Sequence, residues 1–137
     1  MTGLNETHWQ QLADSAKAAS SHAYSPYSHF RVGAAVMTVN GGVAIGCNVE
    51  NASYGLTMCA ERNAVFRAIA DGATAIVAVA LYTPTAQPVS PCGACRQVIA
   101  EFGRNARIRA YCDGPDRMEF TMEALLPAAF AFTPEAL

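Results

Sequence analysis

Residues 76–82, Ile-Val-Ala-Val-Ala-Leu-Tyr, form an unbroken apolar run that lies between two segments of helical periodicity. Such a run reads as a strand covered on both faces, which sets an α/β frame for the rest of the chain. Trp9, Leu12, Ala13, Ala16 and Ala19 share one helical face, so about Asn5 to Ser21 is predicted as an amphipathic helix. Tyr24-Ser25-Pro26-Tyr27-Ser28 ends it, with Pro26 forcing extended geometry on Ser25. Phe30 to Val39 favours a strand, Asn40-Gly41-Gly42 a tight hairpin, and Val43 to Asn48 the returning strand. Cys59 to Ala70 reads as a buried helix, with Gly72 where a C-terminal cap is expected. After a loop at Pro84 to Pro91, Cys92 to Phe102 suits a helix and Arg107 to Cys112 a strand. Thr121 to Leu126 suits a short last helix that Pro127 stops. No repeat, low-complexity segment or linker interrupts this pattern. One α/β domain over residues 1–137 with a small mixed sheet is the economical reading.

Composition removes several classes of function. With 137 residues, 52% hydrophobic and 15% charged, the chain can bury a core without disulfide staples. Eight of the nine cations are Arg, Lys17 is the ninth, and the net charge is −2. Without a basic run, neither duplex nucleic acid nor a membrane surface is an expected partner. No apolar stretch approaches the ~20 residues that cross a bilayer. Met1 to Glu6 lacks the charged and apolar regions of a secretion signal, so a cytoplasmic location is expected. In that compartment an odd set of five cysteines points to metal or catalysis rather than disulfides.

The informative residues are Cys59-Ala60-Glu61-Arg62 and Pro91-Cys92-Gly93-Ala94-Cys95. The C-x-x-C pair offers two thiolates from one turn, and Cys59 offers a third. Three protein ligands on tetrahedral zinc leave one position open, as in catalytic sites. Cys47 and Cys112 have no Cys or His partner nearby in sequence and are expected to behave as small buried hydrophobes. Both ligand segments begin predicted helices, where free N–H groups and the positive dipole end stabilise thiolates. Zinc with three thiolates carries excess negative charge, which makes Arg62 and Arg96 candidates for compensating it. Glu61 can project beside the metal without binding it and shuttle protons. A lone C-x-x-C also fits a redox site or a structural zinc ribbon. The first has no need of Cys59, and the second needs a fourth ligand.

The combination resembles the small, three-Cys, zinc-dependent cytidine deaminases. The similar blocks run in order: residues 24–35, 48–54, 59–62, 90–97 and 125–130. The resemblance implies a three-layer α/β/α fold with a central mixed sheet of about five strands. It implies one Zn2+ per chain on Cys59, Cys92 and Cys95, with water in the fourth position. Glu61 would take that water's proton, the hydroxide would attack C4 of cytosine, and Glu61 would deliver protons to N3 and the leaving ammonia. Phe30 would face the pyrimidine, and the Ala60 N–H its O2. The Cys59 N–H and the Ser90 carbonyl would help orient the ring, and Tyr54 would line the site. Asn48 and Glu50, two apart on an extended segment, would hold the ribose 3′-hydroxyl. Phe130 would reach the base pocket of a neighbouring subunit in a homotetramer with shared active sites.

The implied reaction is deamination of cytidine and 2′-deoxycytidine in pyrimidine salvage. A blasticidin S type deaminase is the alternative enzyme, although the Asn48/Glu50 pair favours an ordinary ribose. A base editor would need basic and aromatic surfaces for a strand. A nucleotide deaminase would need a phosphate site. A structural zinc module would have no use for Glu61. His8, His22 and His29 read as surface or turn residues.

Overall fold

The computed structural model describes residues 3–132 and 134. Asn5 accepts the His8 N–H at 2.9 Å, while His8 Nδ1 accepts the Asn5 N–H at 3.2 Å. This reciprocal cap starts α1 (Glu6–Ser20) and gives His8 a structural role at the helix start. β1 (Gly33–Thr38) and β2 (Val43–Cys47) form the expected hairpin, with Gly41 at φ 87° in the turn. A 3-10 turn at Tyr54–Leu56 precedes α2 (Ala60–Ala70). β3 (Ile76–Tyr82), α3 (Gly93–Phe102) and β4 (Arg107–Tyr111) follow, and then β5 (Met118–Thr121) and α4 (Met122–Leu125).

The sheet order is β2-β1-β3-β4-β5. Only β3 and β4 run parallel, so the sheet is mixed. The period-2 alternation of the strands separates two cores. Ala34, Val36, Val79, Leu81, Ile108 and Ala110 face α2 and α3 with Ala64, Val65 and Ile99. Ala35, Met37, Ala78, Ala80 and Tyr82 face α1 with Trp9, Leu12 and Ala16. The result is a three-layer α/β/α arrangement of five strands. The expected strand at 30–39 begins at Gly33, because the residues before it wrap onto 48–50 instead. β5 was not expected from sequence. Among the described residues no helix is long and apolar enough to cross a membrane.

Two contacts fix the layers. Gly46 on β2 lies against α2 so closely that a Cβ would sit 2.4 Å from Ala64 N and 2.6 Å from Ala60 O. Backbone meets backbone there, which sets how near the first turn of α2 comes to the sheet. On the opposite face, Arg109 of β4 is buried. It donates through both terminal nitrogens to Glu6, at 2.9 and 3.0 Å, and through Nε to Glu119 at 3.2 Å. Its guanidinium lies 4.6 Å from the centre of the Trp9 ring.

Candidate active site

Cys59 and Cys92 are not the first helical residues but the N-caps of α2 and α3, both in extended conformation. Their thiols therefore sit ahead of the helix starts, where the backbone donors point. Cys95 is one turn into α3 and buried. The Sγ atoms of Cys59, Cys92 and Cys95 all lie within 4.8 Å of one another, and Cys59 and Cys92 are 3.9 Å apart. A tetrahedral site with Zn–S of ~2.3 Å has ligand edges of about 3.8 Å, so this donor set fits zinc in both chemistry and spacing. Among the described residues it is the only such group. Cys47 and Cys112 stand apart from it. Both are half-buried rather than fully buried, and the Cys112 thiol donates toward the carbonyls of Ala86, Gly114 and Asp116.

The Cys59 thiol ionises more readily than an ordinary cysteine. A hydrogen bond from Cys95 and the Arg62 guanidinium, 3.3 Å from Sγ, bring it down to about 5. The same hydrogen bond, together with burial, holds Cys95 protonated. Arg62 therefore stands where a compensating cation is useful. Arg96 donates instead to Pro91 O at 2.8 Å, Ser90 Oγ at 3.0 Å and Leu125 O at 3.0 Å. These bonds tie the turn before Cys92 to the end of α4.

A cavity of about 210 Å³ opens beside the thiols, lined by Ser28, Phe30, Asn48, Glu50, Cys59, Ala60, Glu61, Thr83 and Ser90 among others. Glu61 is buried at its inner end. Loss of hydration pushes its carboxyl up to about 7, and the nearby Cys59 charge adds to the shift. That value suits a group that must both take and give protons near neutrality. Ala60 is fully buried and is the first residue of α2. Phe30 is half-buried against the core while facing the cavity. A larger cavity of about 410 Å³ lies on the α1 side around Trp9, Arg107 and Arg109, but no thiol lines it.

Asn48 and Glu50 do point the same way, and each already carries part of a loop. Asn48 Oδ1 accepts the Val32 N–H at 2.9 Å and Nδ2 donates to Phe30 O at 2.7 Å. Glu50 Oε1 accepts the N–H groups of Tyr27 and Ser28, at 2.9 and 3.1 Å, and Oε2 accepts the Ser28 hydroxyl. These donors, led by the Ser28 hydroxyl, hold the Glu50 carboxyl below its usual range, so it is ionised. One Asn48 N–H and one lone pair of Glu50 Oε2 remain, which together match a single hydroxyl group.

Tyr54 and Phe130 do not line this cavity. Tyr54 is 73% exposed and meets the Tyr27 ring edge-on at 5.5 Å. It lines a neighbouring cavity with Tyr27, Ser28, Glu50 and Thr57 rather than the main one. Phe130 is 75% exposed and outside its own chain's cavity, with its carbonyl accepting from Gln97 Nε2 at 3.2 Å. Sequence reasoning missed Ser28. Its signal, a hydroxyl two residues before Phe30, is indistinguishable in sequence from ordinary turn chemistry.

Residues 6–111 match the family model for the cytidine and deoxycytidylate deaminase zinc-binding region. The chain is 49% identical over 123 residues to a cytidine deaminase of Halalkalibacterium halodurans, covering 88% of this chain and 92% of that protein. It is 47% identical over 124 residues to a cytidine deaminase of Sporosarcina psychrophila, covering 89% and 90%. The crystal structure of cytidine deaminase from Burkholderia pseudomallei superposes with a TM-score of 0.85 at 47% identity, covering 88% of this chain and 98% of that one. With its three thiols gathered at the starts of α2 and α3, the chain belongs to the zinc-binding cytidine and deoxycytidylate deaminase family.

Proposed function

We propose that this chain, acting as one domain, hydrolyses cytidine and 2′-deoxycytidine to uridine and 2′-deoxyuridine with release of ammonia. One observation carries the reading. A single cavity joins a buried carboxyl beside three thiols to an amide and carboxylate pair with capacity for one hydroxyl.

Cys59, Cys92 and Cys95 hold the zinc, which when bound supplies Lewis-acid polarisation of water. Arg62 offsets the charge of the thiolates. Glu61 accepts a proton from the water whose oxygen adds to C4. It delivers that proton to N3, then takes the proton of the new C4 hydroxyl and passes it to the amino nitrogen, so that the C4–N4 bond breaks, C4 becomes a carbonyl and ammonia leaves. Water and cytidine give uridine and ammonia, with no change of oxidation state. The Ala60 N–H binds the pyrimidine O2, Phe30 packs on the ring, and Asn48 and Glu50 hold the 3′-hydroxyl. Glu61 and Cys95 are buried, which keeps bulk water from the carboxyl that moves the protons.

Nucleosides are the substrate class rather than nucleotides. Neither Lys nor Arg lines the cavity, and the ionised Glu50 repels a phosphate placed near the sugar. The test is a panel of cytidine, deoxycytidine, CMP, dCMP and blasticidin S on the zinc-loaded protein. Cytidine and deoxycytidine should give the highest kcat/KM. More efficient turnover of either nucleotide, or of blasticidin S, would refute the assignment.

The reading extends to a cytoplasmic homotetramer with shared sites. Exposed Tyr54, Leu56, Phe130 and Phe132 support an assembly, because so much aromatic and aliphatic surface favours cover. Phe130 then serves a neighbouring subunit's pocket.

A further inference from the structure

Residues 27–30 connect two parts of the cavity that the sequence separates. Ser28 Oγ donates to Glu50 Oε2 and accepts the Phe30 N–H at 3.0 Å. His29 between them has φ 58°, a left-handed conformation uncommon outside glycine, and this folds the Phe30 amide back onto the Ser28 side chain. The fold-back is anchored by the His29 N–H on Ser25 O at 2.9 Å and by Asn48 Nδ2 on Phe30 O. One hydroxyl thus joins the residue that faces the base to the residue that faces the sugar. Its proton is committed to Glu50 and a lone pair to Phe30, so both halves of its hydrogen-bonding capacity are used.

We propose that Ser28 is a positioning residue that sets substrate specificity. Its hydroxyl orients the Glu50 carboxylate so that the one uncommitted lone pair of Oε2 faces the cavity, which makes recognition depend on a free sugar hydroxyl. The inference rests on the nucleoside reading above. Ser28 acts through Glu50 and Phe30, so its loss changes binding more than turnover. Alanine removes both halves of the link, and threonine keeps both. Cysteine keeps the size with a weak donor and acceptor.

The experiment compares cytidine with 3′-deoxycytidine on zinc-loaded wild type, Ser28→Ala and Ser28→Thr. Loss of one hydrogen bond to a charged group predicts a KM for cytidine raised about tenfold in Ser28→Ala, with kcat and zinc content within about twofold. Ser28→Thr should recover KM to within about threefold, because both bonds remain available. With 3′-deoxycytidine, which gives Glu50 nothing to bind, the Ser28→Ala penalty should shrink to about twofold. An equal penalty on both nucleosides, a loss confined to kcat, or no penalty overturns the proposal. Should Ser28→Ala fail to fold, Ser28→Cys decides by the same comparison, with the same selective rise expected. Wild type alone tests the underlying reading. If it does not turn over cytidine, or does not distinguish the two nucleosides in KM, the sugar assignment itself is wrong.

Discussion

Gly46→Ala would place a methyl group against the backbone of α2, one turn from the thiols. The added Cβ would lie 2.4 Å from Ala64 N and 2.6 Å from Ala60 O. Neither atom belongs to a flexible side chain, so ordinary contact requires α2 and β2 to separate by about 1 Å. Overpacking of this kind costs ~1–3 kcal/mol, which for a chain of this size lowers Tm by roughly 4–12 °C. The functional effect should exceed the loss of stability. The displaced turn carries Ala60 and Glu61 and follows directly on Cys59, whereas Cys92 and Cys95 sit on α3 and need not move with it. A misplacement of about 1 Å at a catalytic group costs ~10²-fold, so kcat should fall by about that factor. Thermal melting, zinc content and cytidine deamination followed by absorbance would be measured on the same preparation. Wild-type kcat with a lowered Tm would show that the contact at Gly46 does not set the position of Glu61. An unchanged Tm would refute the backbone packing of α2 on β2.

Glu61→Gln should keep zinc and substrate binding while lowering kcat by at least ~10²–10⁴-fold, since an amide cannot carry the proton. Near-normal turnover would assign the proton transfers to another group. Cys92→Ala should lose zinc, by metal analysis, and melt earlier, because the ion joins the starts of two helices. Glu50 titrates below its unfolded value, so its stabilising contribution is complete above about pH 4.5 and is lost as pH falls through the lower folded value. Glu50→Gln should therefore flatten part of the acid decline in urea midpoint between pH 5 and 3, a range set by ordinary carboxylate values of about 4–4.5. An unaltered acid limb would exclude Glu50 as a contributor. Phe130→Ala should raise KM with zinc retained. A fully active monomer by light scattering at assay concentration would exclude shared sites.

Where the sequence was legible, the reason is burial on both faces. Residues 76–82 match β3 end to end because a two-sided apolar run has no other economical place. The helices were visible through their periodicity, and the error at their starts is informative. Cys59 and Cys92 fall just outside because a cap residue carries no apolar signal of its own. β5 escaped notice because it is a four-residue edge strand with only Phe120 half-buried, so it lacks an alternating apolar face. That Cys59, Cys92 and Cys95 come together, with Glu61 on the same cavity as Cys59, was legible from spacing and resemblance. The bonds of Arg96 to Pro91, Ser90 and Leu125 were not legible, because adjacency in sequence does not fix where a long side chain points. The double use of Asn48 and Glu50, bracing residues 27–32 as well as facing the cavity, depends on hydrogen bonds spanning 16 to 23 residues. No local pattern reports such bonds.

The pairing of Glu6 with Arg109 joins residues 103 apart in the chain. During synthesis, at ~5–20 residues per second, α1 leaves the ribosome about 5–20 s before its partner cation does. Throughout that interval the indole of Trp9 lacks the guanidinium that later covers it. A contact of such range also closes a large loop, which places it among the slow events of folding. α1 is in this sense a clasp fastened last. A nascent chain stalled before residue 107 would present its Trp9 face to chaperones rather than to β4.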